Sequence, residues 1–82
     1  MSQKQTKKIL VAGGGGFIGG HLAGSLLAQG HEVVVADIKG LSSWYQAHPA
    51  ADNHVVNLEE KEACFRVMEG CDEVYNLACN MG

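Results

Sequence analysis

The sequence is short of several things, and each shortage removes a class of function. No apolar run approaches the roughly 18 residues that a membrane span requires. The opening MSQKQTKK leads into a strand-length apolar run, without the h-region and cleavage site of a secretory signal. A cytoplasmic chain that spans no membrane is the expectation. Basic residues are not in excess: six Lys and Arg stand against nine Asp and Glu, a formal net charge of -3. That balance gives no reason to expect nucleic acid or an anionic surface as partner. Cysteine is sparse. Cys64, Cys71 and Cys79 are an odd number with no C-x-x-C spacing, and the histidines do not sit at ligand spacings from them. Reduced thiols follow, with neither a disulfide framework nor a metal site. Internal repeats and low-complexity linkers are also missing.

What is abundant is apolar residue and glycine. Hydrophobic residues make up 46%, so the chain should fold, although 82 residues bury only a modest core. Residues 1–7 read as a loose polar tail, with Lys4, Lys7 and Lys8 solvated. KILVA (8–12) is a continuous apolar run, as in a strand buried on both faces. Residues 16–29 carry helical spacing at Ile18, Leu22 and Leu26, with Gly30 as a stop. EVVVAD (32–37) is a second buried strand. Residues 40–52 are irregular, with one helical turn before Pro49. HVVN (54–57) is a short third strand. Residues 58–70 form an amphipathic helix with Ala63, Cys64, Val67 and Met68 on its apolar face and Gly70 closing it. EVYNLA (73–78) is a fourth strand. This alternation predicts an α/β fold: a parallel sheet of four strands with helical crossovers.

Glycine is concentrated in ILVAGGGGFIGGHL (9–22), directly behind the first strand. Flexible linkers are Gly/Ser-rich and aperiodic. This stretch instead joins a strand to an apolar-periodic helix, the setting of a dinucleotide-binding turn. A phosphate needs donors and little crowding. The first turn of a helix supplies free N–H groups and partial positive charge. Glycine removes the Cβ, so backbone and pyrophosphate can touch. Gly14, Gly16 and Gly19 fit G-x-G-x-x-G, and Gly13, Gly16 and Gly19 fit G-x-x-G-x-x-G. Asp37 ends the second strand, where a carboxylate accepts from the adenosine ribose and repels a 2′-phosphate. That favours NAD over NADP, the alternative being a solvated strand-end carboxylate. Gly20 and Gly24 read as tight helix packing.

The segment VAGGGGFIGGHLAGSLLAQGHEVVVAD resembles the opening of the extended short-chain dehydrogenase/reductase family, the NAD-dependent sugar epimerases and dehydratases. Ala12 stands where the family usually has threonine. EGCDEVYNLACNMG is similar to the family's fourth strand. Asn76-Leu77-Ala78 followed by Met81-Gly82 is most similar to the GDP-mannose 3,5-epimerase branch. The resemblance implies the first half of a Rossmann-type parallel sheet over residues 8–82. It implies that Gly13, Gly16, Phe17, Ile18 and Gly19 line the pyrophosphate, the last three partly through backbone N–H groups. Asp37 would hold the ribose, and Asn57 and Leu58 would lie against the adenine. Leu77, Ala78 and Cys79 would pass the nicotinamide ribose, and Gly82 would approach a sugar nucleotide.

Two of these positions carry plainer readings. Asn57 with Glu60 is also shaped like a helix N-cap with its reciprocal acid. Cys79 has no identifiable base and reads as a small strand-end residue. Cys64 reads as core. Trp44 and Tyr45 either cover the adenine or pack locally.

The family's chemistry uses a Tyr-x-x-x-Lys pair. Here Tyr45 is followed four residues on by Pro49 and Tyr75 by Cys79, so no catalytic residue is assigned. The expectation is the NAD-binding N-terminal portion of a nucleotide-sugar epimerase or dehydratase. Such a portion is inactive alone and self-associates through a bare apolar fourth-strand edge at 73–79. A stand-alone NAD-binding module, a subunit completed by a partner, and a reductase of the same fold are the alternatives.

Overall fold

A computed structural model describes residues 6–77. The chain runs β1 (Lys8–Ala12), α1 (Phe17–Ala28), β2 (Glu32–Asp37), a 3-10 turn (Leu41–Ser43), β3 (Asp52–Val55), α2 (Lys61–Met68) and β4 (Glu73–Asn76). All pairings are parallel, and the strand order is β3-β2-β1-β4. The fold is thus the expected four-stranded parallel sheet with helical crossovers.

The two continuous apolar runs become the centre of the sheet because each of their faces is covered. Ile9, Val11, Val33 and Val35 pack on α1 through Ala23 and Leu26, with Trp44 in the same cluster. Leu10, Val34 and Ala36 pack on α2 through Val67. The period-two alternation of a strand thus divides one apolar run between two cores. Ile9, Leu10, Val11, Val33, Val34 and Val35 are fully buried. Each such side chain contributes about 1.5–3 kcal/mol when taken out of water, so this pair of strands dominates the stability. α1 ends in a Schellman motif. Gly30 takes φ +91°, its N–H donates to the Leu27 carbonyl at 3.0 Å, and the His31 N–H donates to the Leu26 carbonyl at 3.2 Å.

Several boundaries differ from the sequence expectation. β3 begins at Asp52, two residues earlier than HVVN. Its register is set by pairing with β2, Val34 opposite Asp52 through Asp37 opposite Val55. α2 is shorter than 58–70, and Asn57 is not its N-cap. Glu60 occupies that position without a side-chain cap. Asn57 Oδ1 accepts instead from the Glu59 N–H at 3.0 Å, a local turn ahead of the helix. On α2 only Val67 is buried, while Met68 is exposed. The one helical turn expected in 40–52 before Pro49 is the 3-10 turn Leu41–Ser43. On α1 the buried residues are Gly19, Gly20, Ala23 and Leu26, and Ile18 is exposed.

Lys7 and Lys8 are not a solvated tail. The Lys7 ammonium pairs with the Glu73 carboxylate, and the Lys8 backbone N–H donates to Asp72 Oδ2 at 2.8 Å. These contacts tie the start of β1 to the start of β4. Among the described strands β4 pairs only with β1, and Val74, Tyr75 and Leu77 are exposed there. Ala78, Cys79 and Gly82 lie outside the described residues.

Candidate functional site

The chain leaves β1 for β2, steps outward to β3, then crosses back to place β4 on the other side of β1. In open α/β sheets such a reversal leaves a crevice beyond the carboxyl ends of the strands. A cleft of about 780 Å3 lies there. That volume falls within the range of small-molecule and cofactor sites. Ala12 of β1 with Gly13 just beyond it, Asp37 of β2, and Asn76 of β4 with Leu77 just beyond it line it. Val56, Asn57, Leu58 and Glu59 form a further wall, and Cys64 and Met68 of α2 complete it.

The five glycine positions of the expected turn are glycine for different reasons. Gly13 has φ +83°, and its N–H donates to the Ala36 carbonyl at 2.7 Å. A Cβ on Gly14 would come within 2.4 Å of Val35 Cγ1. On Gly15 it would meet the Trp44 ring at 2.8 Å and Asp37 Oδ2 at 2.9 Å. On Gly19 it would meet the Gly13 carbonyl oxygen and Gly14 Cα at 2.6 Å. The chain's own packing therefore demands glycine at Gly14, Gly15 and Gly19, and the left-handed backbone favours it at Gly13.

Gly16 is the exception. A Cβ there would approach only the Gly13 carbonyl oxygen, at an ordinary 3.7 Å. Gly16 lines the cleft and stands at the N-cap of α1 in extended backbone, φ -84° and ψ 179°. No side chain caps this helix end, and no acidic residue lies in its first turn. The first N–H groups of a helix have no intrahelical partners. With the helix dipole they favour an anion at that point. The space beside Gly16 and the donors behind it fit a diphosphate. Phe17 and Ile18 can contribute there only through their backbone. The Phe17 side chain stacks edge-on against Tyr45 and His21, at centroid distances of 4.7 and 4.6 Å, and Ile18 is exposed.

Asp37 faces the same cleft, but not as a solvated strand-end carboxylate: it is 7% exposed. Its Oδ2 accepts from the Gly15 N–H at 2.9 Å and its Oδ1 from the Lys39 N–H at 3.0 Å. Each carboxylate oxygen has a second lone-pair site, so capacity remains for two hydroxyls. Asn57 Oδ1 likewise accepts one N–H and can take another.

The structure thus brings Gly13, Gly16, Asp37, Asn57, Leu58 and Leu77 around one cleft. Gly19 stands behind it, against the turn. Sequence reasoning passed over Asn76, Glu59 and Met68 as lining residues, and gave Gly15 no role. The run of four glycines was the available signal, since only two of its members are needed by either spacing. Gly20 and Gly24 are glycine for close packing, against Gln46 and His48 of the β2–β3 connection. His48 Nε2 is 2.8 Å from the Gly20 carbonyl. Trp44 is buried in the core and packs locally.

Among the described residues no helix is long and apolar enough to cross a membrane. The sequence model of the NAD dependent epimerase/dehydratase family matches residues 9–82. GDP-mannose 3,5-epimerase of Arabidopsis thaliana is 40% identical over 75 residues, which cover 92% of this chain and 20% of that protein. An epimerase from Methanothermobacter thermautotrophicus superposes with a TM-score of 0.77 at 31% identity, over 92% of this chain and 23% of that one. A short-chain dehydrogenase/reductase superfamily protein from Agrobacterium tumefaciens, solved with bound NAD, gives a TM-score of 0.74 at 25% identity, over 92% and 21%. The chain spans about a fifth of the length of the curated relatives it matches. By sequence model and by superposition, this chain belongs to the NAD dependent epimerase/dehydratase family.

Proposed function

We propose that this chain forms the NAD-binding portion of a nucleotide-sugar epimerase or dehydratase. The observation that carries the reading is Gly16. It is the one glycine of the turn that the protein's own atoms do not require, and it faces the cleft from an uncapped helix end. The diphosphate would rest on Gly13, Gly16 and the first N–H groups of α1, from Phe17, Ile18 and Gly19. Asp37 would accept the adenosine ribose hydroxyls and disfavour a 2′-phosphate. Asn57 and Leu58 would border the adenine, and Leu77, Ala78 and Cys79 the nicotinamide ribose. Gly82 would approach the sugar nucleotide.

When bound, the nicotinamide supplies a reversible acceptor for hydride from a sugar carbon. The residues of this chain hold and orient that group. The reading assigns them no proton transfer, because neither Tyr45 nor Tyr75 is followed by lysine four positions on. A GDP-mannose epimerase among the relatives supports a nucleotide sugar as the substrate class.

Calorimetric titration of the chain with NAD tests the reading. Saturable binding at one site, weaker for NADP, is expected. A folded chain with no NAD binding overturns it. The same reading includes self-association along the outer edge of β4, where Val74 and Tyr75 are exposed. A monomer by light scattering at tens of micromolar, about where such edges associate, contradicts that part.

A further inference from the structure

Gly15 is held on three sides by the end of β2 and the segment that follows it. Its N–H donates to Asp37 Oδ2 at 2.9 Å, and its carbonyl accepts from the Tyr45 N–H at 2.8 Å. Its α-carbon faces the Trp44 indole so closely that a Cβ would stand 2.8 Å from Cδ1 and 2.9 Å from Cγ. The indole is itself fixed. It is 7% exposed, belongs to the cluster of Ile9, Val11, Val33 and Val35, and donates from Nε1 to the Lys39 carbonyl at 2.8 Å. The Trp44 backbone N–H donates to the Leu41 carbonyl at 3.1 Å, which holds the 3-10 turn beneath it.

Trp44 does not line the cleft. Any influence on a ligand there runs through Gly15, which sits between Gly14 and Gly16. A run of four glycines is the most mobile sequence a turn can have. It can present N–H groups to an anion without an ordering cost only if something outside the run fixes it. The flat ring against Gly15, with the hydrogen bonds to the Asp37 carboxylate and from the Tyr45 N–H on either side, is such a fixture.

We propose that Trp44 is a positioning residue for the diphosphate-binding turn: its indole seats Gly15, and NAD affinity depends on a side chain that NAD does not touch. The proposal rests on the reading that this turn holds a dinucleotide. It assigns a function to the β2–β3 connection, which holds the glycine turn beside the Asp37 carboxylate.

Two variants test it, Trp44→Leu and Trp44→Phe, with two readouts at a temperature where each is folded. The first is hydrogen exchange of the Gly15 amide relative to that of Val11 in β1. The second is the NAD dissociation constant and stoichiometry by calorimetry. Leucine leaves Gly15 unbacked. Gly15 exchange should accelerate about tenfold over Val11, and NAD should bind about tenfold more weakly at unchanged stoichiometry. Tenfold is roughly the factor from the ordering entropy of one backbone residue. Phenylalanine keeps a ring beside Gly15 but has no N–H for the Lys39 carbonyl. An intermediate loss, about threefold, is expected.

A purely structural role would lower the melting temperature and the competent fraction, leaving the dissociation constant in place. Unchanged Gly15 exchange, or NAD affinity within about twofold of the wild type in both variants, overturns the proposal. If Trp44→Leu does not fold, Trp44→Phe decides by the same two readouts. A wild-type chain that fails to bind NAD overturns the cofactor reading itself. NAD binding that is indifferent to both substitutions overturns this inference alone.

Discussion

The amide of Gly15 donates to Oδ2 of Asp37 at 2.9 Å, across 22 positions of sequence. This hydrogen bond adds a side-chain tie to the Gly13 N–H bond to the Ala36 carbonyl, which also joins the glycine turn after β1 to the end of β2. The other carboxylate oxygen accepts from the Lys39 N–H at 3.0 Å. The acid is therefore structural before any ligand arrives, and it remains able to accept further donors.

That double engagement makes Asp37→Asn more than a charge change. An amide offers one oxygen, so one of the two N–H groups must face the amide's own N–H. The expected cost is about 1–3 kcal/mol of stability, read from the denaturant midpoint. NAD affinity should fall, and the preference for NAD over NADP should narrow. Titration of both dinucleotides against both proteins checks this. An unchanged ratio removes Asp37 from the ribose site.

Gly16 and Gly19 should respond in opposite ways. A Cβ at Gly19 meets the Gly13 carbonyl oxygen and Gly14 Cα at 2.6 Å, where only backbone movement gives relief. Gly19→Ala should cost about 1–3 kcal/mol or more. Gly16 is the N-cap of α1 and has room for a side chain. Gly16→Ser adds a preferred capping group and should hold or raise the melting temperature by an amount equivalent to a few tenths of a kcal/mol. It also fills the space proposed for the diphosphate, so NAD should bind at least about tenfold more weakly, the equivalent of roughly 1.4 kcal/mol. Melts and calorimetry on the two variants separate the roles. Full NAD affinity in Gly16→Ser would refute the placement.

The sheet centre was legible in the sequence because KILVA and EVVVAD are apolar on both faces, and only a covered parallel pair accommodates that. The turn was legible because strand, glycines and helix follow one another. β3 was misplaced because Asp52, Asn53 and His54 carry no apolar pattern of their own, and partnership with β2 makes them a strand. Ile18 misled for a related reason. The spacing marks it as core, yet α1 turns Ala23 and Leu26 to the sheet and packs Gly20 and Gly24 against Gln46 and His48, leaving Ile18 exposed. Asp37 could be read as a ligand acid, but its grip on Gly15 depends on a contact 22 residues away. No local pattern reports such a contact.

The Cys71 thiol should react slowly in the folded chain. Burial pushes the Cys71 thiol up from the ordinary 9.0, and its Sγ donates to the Val67 carbonyl at 3.4 Å. A raised value leaves less thiolate at neutral pH, and thiolate is the reactive form. Timed alkylation with iodoacetamide at neutral pH, mapped by peptide mass, should label Cys71 more slowly than an unhindered model thiol. Denaturation should remove the lag. Equal rates in the folded chain would mean that the Cys71 environment is open.

The pair at the base of the sheet sets a pH window for stability. The hydrogen bond and charge of Glu73 raise the Lys7 ammonium above its usual 10.5, and the Lys7 hydrogen bond holds the Glu73 carboxyl below its usual 4.5. A depressed acid contributes stability above its unfolded value, and that contribution is lost as pH falls through the folded one. A raised lysine contributes below its unfolded value, and that contribution is lost as pH rises through the folded one. The pair is therefore fully effective only between the two. It is also exposed at 42% and 36%, so salt should screen it. Lys7→Met should lower the denaturant midpoint slightly at neutral pH and low salt. The difference from the wild type should shrink as pH falls through the lowered value of the folded carboxyl, where it takes up its proton. It should also shrink in 1 M salt, where the Debye length is roughly 3 Å. A difference that persists unchanged at acid pH would locate the effect in the lysine's methylene chain.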